Sequence, residues 1–354
     1  MVIIDAKNRL INSLKGQPVD RPPFICPGGM MNMATADILQ DLDLTWNQVY
    51  GDPERFAGLV LQVSQRSGID NLGLPFCMTV EAESLGAEIE MGSQYTEPRV
   101  ARYSLTTLSE WHELENFDFT KSRMAVMLKA VDILRRSNSG LPIVATLTGP
   151  VSLAASLIEP MTFFRSMRTE PAEVKAFMNF ISSNLTDFAQ ALAESGADIL
   201  AVADPSASGE ILGPAFFTEF ALPYINQIIS RTEEYYLTSL IHICGRLNSI
   251  FAQVQQLHSP GISIDSATSV AAIRAAVPGK VIVGNISTQL LQNGNTERVK
   301  KAAFHSLSQG VTVLAPACGI SMSTPLPNLQ AMAEAVRDWP QKKDPGQELT
   351  ADES

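Results

Sequence analysis

A histidine and a cysteine, His242 and Cys244, stand two residues apart at the end of the apolar run in TSLIHICGRLNSI. Neither packs better there than the leucine and isoleucine around it. In an extended strand, alternate side chains share a face, so the imidazole and the thiol point the same way. A nitrogen and a sulfur donor on one face look like part of a site for a borderline-soft metal ion. Another sulfur, Cys318, follows far along the chain in LAPACGIS. An N/S/S set suits Zn²⁺, with Zn–S near ~2.3 Å and Zn–N near ~2.0 Å. Three protein ligands leave a fourth position open. Asp265, in ISIDS, is a carboxylate that could fill it until a substrate displaces it. Free cysteines are also common as small buried hydrophobes, so the residue types alone leave both readings standing.

Bringing these donors together needs a scaffold that gathers strand ends. Short β-branched runs alternate with longer amphipathic stretches along the chain. The runs predicted as strands are 24–26, 70–76, 143–149, 197–204, 236–244, 262–266, 281–286 and 311–317. Several are almost wholly apolar, as parallel strands covered on both faces are. The clearest helical patterns are 5–16, 53–68, 171–196, 247–258, 270–279 and 296–310. Strand and helix alternating to a count of eight predicts an α/β fold, a closed (β/α)8 TIM barrel. Residues 87–105 break the rhythm and read as a small hairpin-like insertion after the second strand. Residues 1–340 are expected to form one barrel domain. The polar, aperiodic stretch 341–354 is expected to be a disordered tail.

In such barrels the working site forms at the C-terminal strand ends. The second cysteine and the His–Cys pair fall on predicted strands eight and five, which share that rim. Other residues fall there too. PGGMMN brings Gly29, Met30, Met31 and Asn32; PFCM brings Cys77 and Met78; ADPSAS brings Asp204; GNIST brings Asn285. All are candidates to line the pocket. Methionines and cysteines in such places also serve as packing. Asp204 follows an apolar run, where a carboxylate is costly unless paired or open to the cleft. His112, His258 and His305 lie in helical or loop stretches and are expected at the surface.

Composition excludes several classes. The chain has 354 residues, 45% apolar and 18% charged, enough to bury a large core. Its net charge is −11 and its pI about 4.9. With no Lys/Arg cluster, a nucleic-acid partner is not expected. No run of eighteen or more apolar residues suggests a membrane span, and the first residues do not resemble a signal peptide. Four cysteines, Cys26, Cys77, Cys244 and Cys318, are too sparse for a disulfide framework. A cytoplasmic location, where thiols stay free to bind metal, is the expectation.

Together, CPGGMMNM, GLPFCMTVEAESLGA, TGPVSLAASLI, ADPSASGEILGP, HICG, GNISTQLL and LAPACGISMSTPL resemble the uroporphyrinogen decarboxylase superfamily along nearly the whole chain. Within it the chain looks most like the methylcobamide:coenzyme M methyltransferases. That resemblance implies His242, Cys244 and Cys318 as zinc ligands, with Asp265 as the displaceable carboxylate. It implies methyl transfer from a methylated corrinoid, presented by a corrinoid carrier protein, to a small thiol such as coenzyme M. A zinc-held substrate thiolate is then the nucleophile, and no protein nucleophile is needed. Tetrahydrofolate or a homocysteine-like thiol are alternative acceptors. True uroporphyrinogen decarboxylases carry arginines near the N-terminus that hold the substrate carboxylates. Here DRPPFICPGGMMNM has no arginine after Arg21, which argues against a polycarboxylate porphyrinogen as substrate; a lyase that decarboxylates a smaller or different carboxylate, without zinc, is an alternative. A corrinoid-binding protein with a purely structural metal is the remaining alternative.

Overall fold

The computed structural model describes residues 4–26 and 34–340. The expectations for Gly29, Met30, Met31, Asn32 and the tail 341–354 lie outside the described residues.

Nine strands are present among the described residues: β1 (Leu72–Leu74), β2 (Glu88–Glu90), β3 (Arg99–Arg102), β4 (Ile143–Thr148), β5 (Ile199–Ala203), β6 (Thr238–Ile243), β7 (Gly261–Ile264), β8 (Val281–Ile286) and β9 (Val313–Pro316). Seven form one parallel sheet in the order β1-β4-β5-β6-β7-β8-β9. Its strands are buried along almost their whole length. Helices on the outside and side chains in the lumen cover both faces, which is why these runs are apolar rather than alternating.

The eighth position is reduced to a single contact. Phe24 makes a parallel bridge to Leu314 on β9. The carbonyl of Phe24 also accepts from Asp70 N at 2.7 Å, just before β1. The predicted strand 24–26 therefore closes the sheet into a barrel without becoming a strand. Arg21 supports this closure: its guanidinium forks onto both carboxylate oxygens of Asp70, each at 2.7 Å. Asp70 in turn accepts from Phe24 N at 2.9 Å. Asn71 performs the same service for Cys26, accepting from its N–H at 3.0 Å and donating to its carbonyl at 3.1 Å.

The helices begin and end on local signals. Asp52 accepts from the N–H groups of Glu54 and Arg55 ahead of Pro53–Ser67, and Gly68 (φ 77°) ends that helix in the left-handed region. The helix Ala6–Leu14, capped by Asp5, crosses the N-terminal end of the barrel. There Leu14 lies so near Gly261 that a side chain on that glycine would meet Leu14 Cδ2 at 2.8 Å. The insertion region forms an antiparallel pair, β2 with β3, matching Glu90 with Arg99 and Glu88 with Arg102. Trp46 Nε1 donates to Thr96 O at 3.0 Å and ties the turn of this pair to the body. No helix among the described residues is long and apolar enough to cross a membrane.

Candidate metal centre

β6 carries the first two donors. His242 is its fifth residue, in register with Ala203 on β5 and Ser263 on β7. Cys244 follows directly after the strand. Gly245 turns the chain there with φ 73°, a conformation that a side chain would strain. The turn is held by Thr268, whose hydroxyl donates to Gly245 O at 2.9 Å and accepts from Leu247 N at 3.1 Å. Cys318 arrives from β9, three strands away around the barrel.

The three donors meet over the lumen. His242 Nε2 lies 3.0 Å from Cys244 Sγ, and Cys244 Sγ lies 2.9 Å from Cys318 Sγ. One ligand atom from each falls within 4.8 Å of the other two. His242 is 1% exposed, and both cysteines are free and partly buried. The other imidazole nitrogen, Nδ1, lies 3.0 Å from Ser263 Oγ. Fixing one nitrogen of a histidine by an outer hydrogen bond aims the other, the usual arrangement behind metal-binding imidazoles. The hydrogen bond from Cys244, aided by His242, pulls the Cys318 thiol below its usual range. The same hydrogen bond, burial, and the charges of Cys318 and Asp265 push Cys244 far up. An N/S/S set with a sulfur already inclined to lose its proton fits Zn²⁺.

The remaining candidates are placed differently. Asp265 follows β7 but is not one of the three residues whose ligand atoms cluster. Its Oδ1 accepts from Ala267 N at 2.8 Å and Ser266 Oγ at 3.2 Å, which engages it in its own turn. Cys77 and Met78 line a cavity of about 280 Å³ with Arg99, Tyr103 and Ser156. Cys77 Sγ sits among Tyr50 OH at 3.0 Å, Thr79 Oγ1 at 3.2 Å and Arg123 Nη1 at 3.4 Å.

Asp204 and Asn285 are both engaged by groups of the fold itself, although Asn285 also lines a cavity with Ser266 and Thr268. Asp204 is fully buried, with no surface toward the mouth. Its carboxylate accepts from Val151 N (3.1 Å), Ser152 N (2.8 Å) and Ser152 Oγ (2.7 Å), capping the helix Pro150–Leu157 from the end of the neighbouring strand β5. Gly149 makes room for it, because a Cβ there would stand 2.3 Å from the Cβ of Asp204. Burial nevertheless raises its pKa to about 6. Asn285 points into the helix layer, where it accepts from Ser306 Oγ at 2.9 Å. Its amide reaches the carbonyls of Asp265 (3.4 Å) and Thr268 (3.3 Å), so it braces the loop after β7.

Ser263, Thr268, Glu81 and Arg123 were not singled out from sequence. The serine and threonine have no signal without the strand register that sets them beside β6. Glu81, in VEAES, has the look of a solvated helix charge. It is instead 1% exposed and accepts from Thr148 N (2.8 Å) and Thr148 Oγ1 (2.9 Å) at the end of β4.

Both the sequence and the fold have known relatives. The family profile described as uroporphyrinogen decarboxylase (URO-D) matches residues 5–339. The methylcobamide:CoM methyltransferase MtbA of Methanosarcina acetivorans is 31% identical over 335 residues, covering 94% of this chain and 98% of the relative. The methylcobamide:CoM methyltransferase MtaA of Methanosarcina barkeri is 29% identical, covering 94% and 97%. A solved methyltransferase from Methanosarcina mazei superposes with a TM-score of 0.87 at 28% identity, over 94% of this chain and 98% of that one.

Proposed function

Because the chain belongs to the uroporphyrinogen decarboxylase (URO-D) family, in its methylcobamide:CoM methyltransferase branch, we propose that it is a zinc-dependent methyltransferase. It moves a methyl group from a methylated corrinoid on a carrier protein to a small thiol, coenzyme M or a close analogue. The observation that carries this reading is the convergence of His242 Nε2, Cys244 Sγ and Cys318 Sγ within 4.8 Å at the C-terminal mouth of the barrel.

Zinc bound there supplies a Lewis acid that keeps the acceptor sulfur ionised at neutral pH, where a free thiol with pKa near ~8.5 is mostly protonated. The residues of this chain do the rest. Cys244 and Cys318 contribute two thiolates, which offset the charge of the cation and leave the acceptor sulfur electron-rich. His242 supplies a neutral third donor, and Ser263 fixes its orientation. A metal held by these three donors would have room for the acceptor, and the charge of Asp265 acts on the same cluster. In the transfer, the acceptor S–CH₃ bond forms as the cobalt–carbon bond breaks, and cobalt keeps the electron pair. No proton moves in that step, so no general base is required. Decarboxylation is disfavoured because Arg21, the arginine of the N-terminal motif, is committed to Asp70. A reducing, cytoplasmic setting would keep Cys244 and Cys318 as the free thiols they are here.

The test is anaerobic demethylation of free methylcobalamin by zinc-loaded protein, followed through cob(I)alamin absorbance. Coenzyme M, homocysteine and tetrahydrofolate are offered separately, with His242→Ala as control. Cob(I)alamin should appear with coenzyme M and not with the variant. Turnover with tetrahydrofolate alone would replace the thiol by a pterin acceptor. No turnover with any acceptor, with methylcorrinoid on a carrier protein also offered, would overturn the reading.

A further inference from the structure

We propose that the opposite, N-terminal end of the barrel carries a second binding site, for a small organic anion with an apolar body, seated against Lys280 and Lys15. This inference goes beyond methyl transfer and does not rest on it.

The site is a cavity of about 650 Å³. It opens where the helix Ala6–Leu14 ends, where the helix Leu222–Thr232 ends, and where β6, β7 and β8 begin. This face of a barrel ordinarily serves stability, so polar and charged groups gathered in a cavity there need a reason. Lys280 is half-buried just before β8. Its ammonium donates to two neutral acceptors, the carbonyls of Leu257 and Ser259, the latter at 2.9 Å. An ammonium has three N–H groups, so one remains for the cavity. The lysines that form ion pairs among the described residues are Lys7, Lys121, Lys175 and Lys300. Neither lysine of this cavity is among them. A cation withdrawn from water onto neutral partners carries an uncompensated desolvation cost. That burial lowers the pKa of Lys280, and a bound anion would relieve it.

The apolar part of the lining points to an organic ligand. Leu237, also in the lining, stays 45% exposed. Leu200, Ile229 and Tyr236 add apolar wall. A bare inorganic ion would use the charge and leave that wall in water. A ring or short chain ending in a carboxylate, sulfonate or phosphate uses both, the usual make-up of a small-molecule pocket. Glu233 is the one acidic residue in the lining and is exposed. It opposes an anion, and its neutralisation should strengthen binding.

Isothermal titration of the whole chain with benzoate, benzenesulfonate, phenyl phosphate, inorganic phosphate and neutral benzamide tests this. At least one of the three aromatic anions should bind saturably, about tenfold or more tighter than inorganic phosphate or benzamide. Lys280→Met should weaken it by about tenfold, and Glu233→Gln should tighten it. Cys244→Ala should leave it unchanged, which separates this site from the metal centre. Should Lys280→Met fail to fold, Lys15→Met and Glu233→Gln carry the test with the same opposite signs. The proposal is overturned by no saturable binding of any aromatic anion, by equal binding of inorganic phosphate, or by undiminished binding to the lysine variants.

Discussion

Two halves of the same C-terminal rim use buried polar side chains in opposite ways. At β4 and β5 those side chains are answered by the fold itself. Glu81 holds the end of β4 through Thr148, and Asp204 caps the helix Pro150–Leu157. Beside them Arg123 spends its guanidinium on Glu83, Thr79 and Cys77. At β6 and β9, His242 Nε2, Cys244 and Cys318 are answered mainly by one another. A buried carboxylate satisfied by backbone N–H groups has finished its work when the chain folds. Donors that converge on a common point and partner mainly one another are, on the proposed reading, arranged for something that arrives later. Residue type does not separate the two halves; partner type does.

The strongest way to break this contrast is to delete a sulfur. Cys244→Ala and Cys318→Ala should each lower zinc affinity by more than about 100-fold, beyond what losing an outer-shell partner costs, and abolish methyl transfer. Thermal stability should stay near that of metal-free wild type, because little of the fold leans on either sulfur. Metal analysis beside a melting curve reads both. A large loss of stability in metal-free protein would place these cysteines with the structural half.

Asp204→Ala should give the mirror image. It strands two N–H groups and a hydroxyl in a buried setting, a loss of about 2–4 kcal/mol, while folded protein keeps its zinc. The pH dependence has a definite sign. Burial raises the folded-state pKa from 3.8 to about 6. The native state therefore holds the proton more tightly than the unfolded chain. This contribution to stability is present below about pH 4 and is lost as pH rises through about 6, amounting to about 3 kcal/mol. Denaturant melts between pH 4 and 7 should show that slope in wild type and a flatter one in Asp204→Asn. Equal slopes would assign the titration elsewhere.

The same contrast explains what the sequence could reveal. The spacing of His242 and Cys244 is a local fact, and an alternating strand turns it into geometry directly. Apolar runs at β4 to β8 are legible because a parallel strand covered on both faces has no alternation to hide. Cys318 is tied to them only through the barrel count, and that count holds although its first member contributes a lone bridge at Phe24. The role of Asp204 was not legible because it depends on Gly149, Val151 and Ser152, some fifty residues away and silent about their partner. Asn285 is half legible for a related reason: its place at a strand end is visible, but its hydrogen bonds to Ser306 and the Asp265 carbonyl are not. Ser263 and Thr268 show the limit most plainly, since a small hydroxyl becomes informative only once the register sets it beside the imidazole or the turn.

Ser263→Ala tests whether the working half has supporting groups of its own. Losing the hydroxyl at 3.0 Å from His242 Nδ1 should weaken zinc binding by roughly 10- to 100-fold and leave melting of the metal-free protein almost unchanged. Competition with a chromogenic chelator measures the first. Unchanged affinity would mean that packing alone orients the imidazole.

The smallest expected effect is the most discriminating, because Asp265 stands on the border between the two halves. One of its oxygens is occupied by its own turn, like the carboxylates of β4 and β5. Its charge nonetheless reaches Cys244, and its backbone carbonyl is held by Asn285. In the proposed reaction, a carboxylate so placed would compete with an incoming thiolate for the positive field of the metal without being needed to hold it. Asp265→Ala should therefore retain zinc and lower KM for the thiol by about two- to fivefold, the scale of a partly exposed charge interaction. Loss of zinc would move Asp265 into the donor set and make the centre a four-ligand one that must open before it works. An unchanged KM with zinc retained would leave the carboxylate to its turn, and the boundary between the two halves would fall between Asp265 and Cys244.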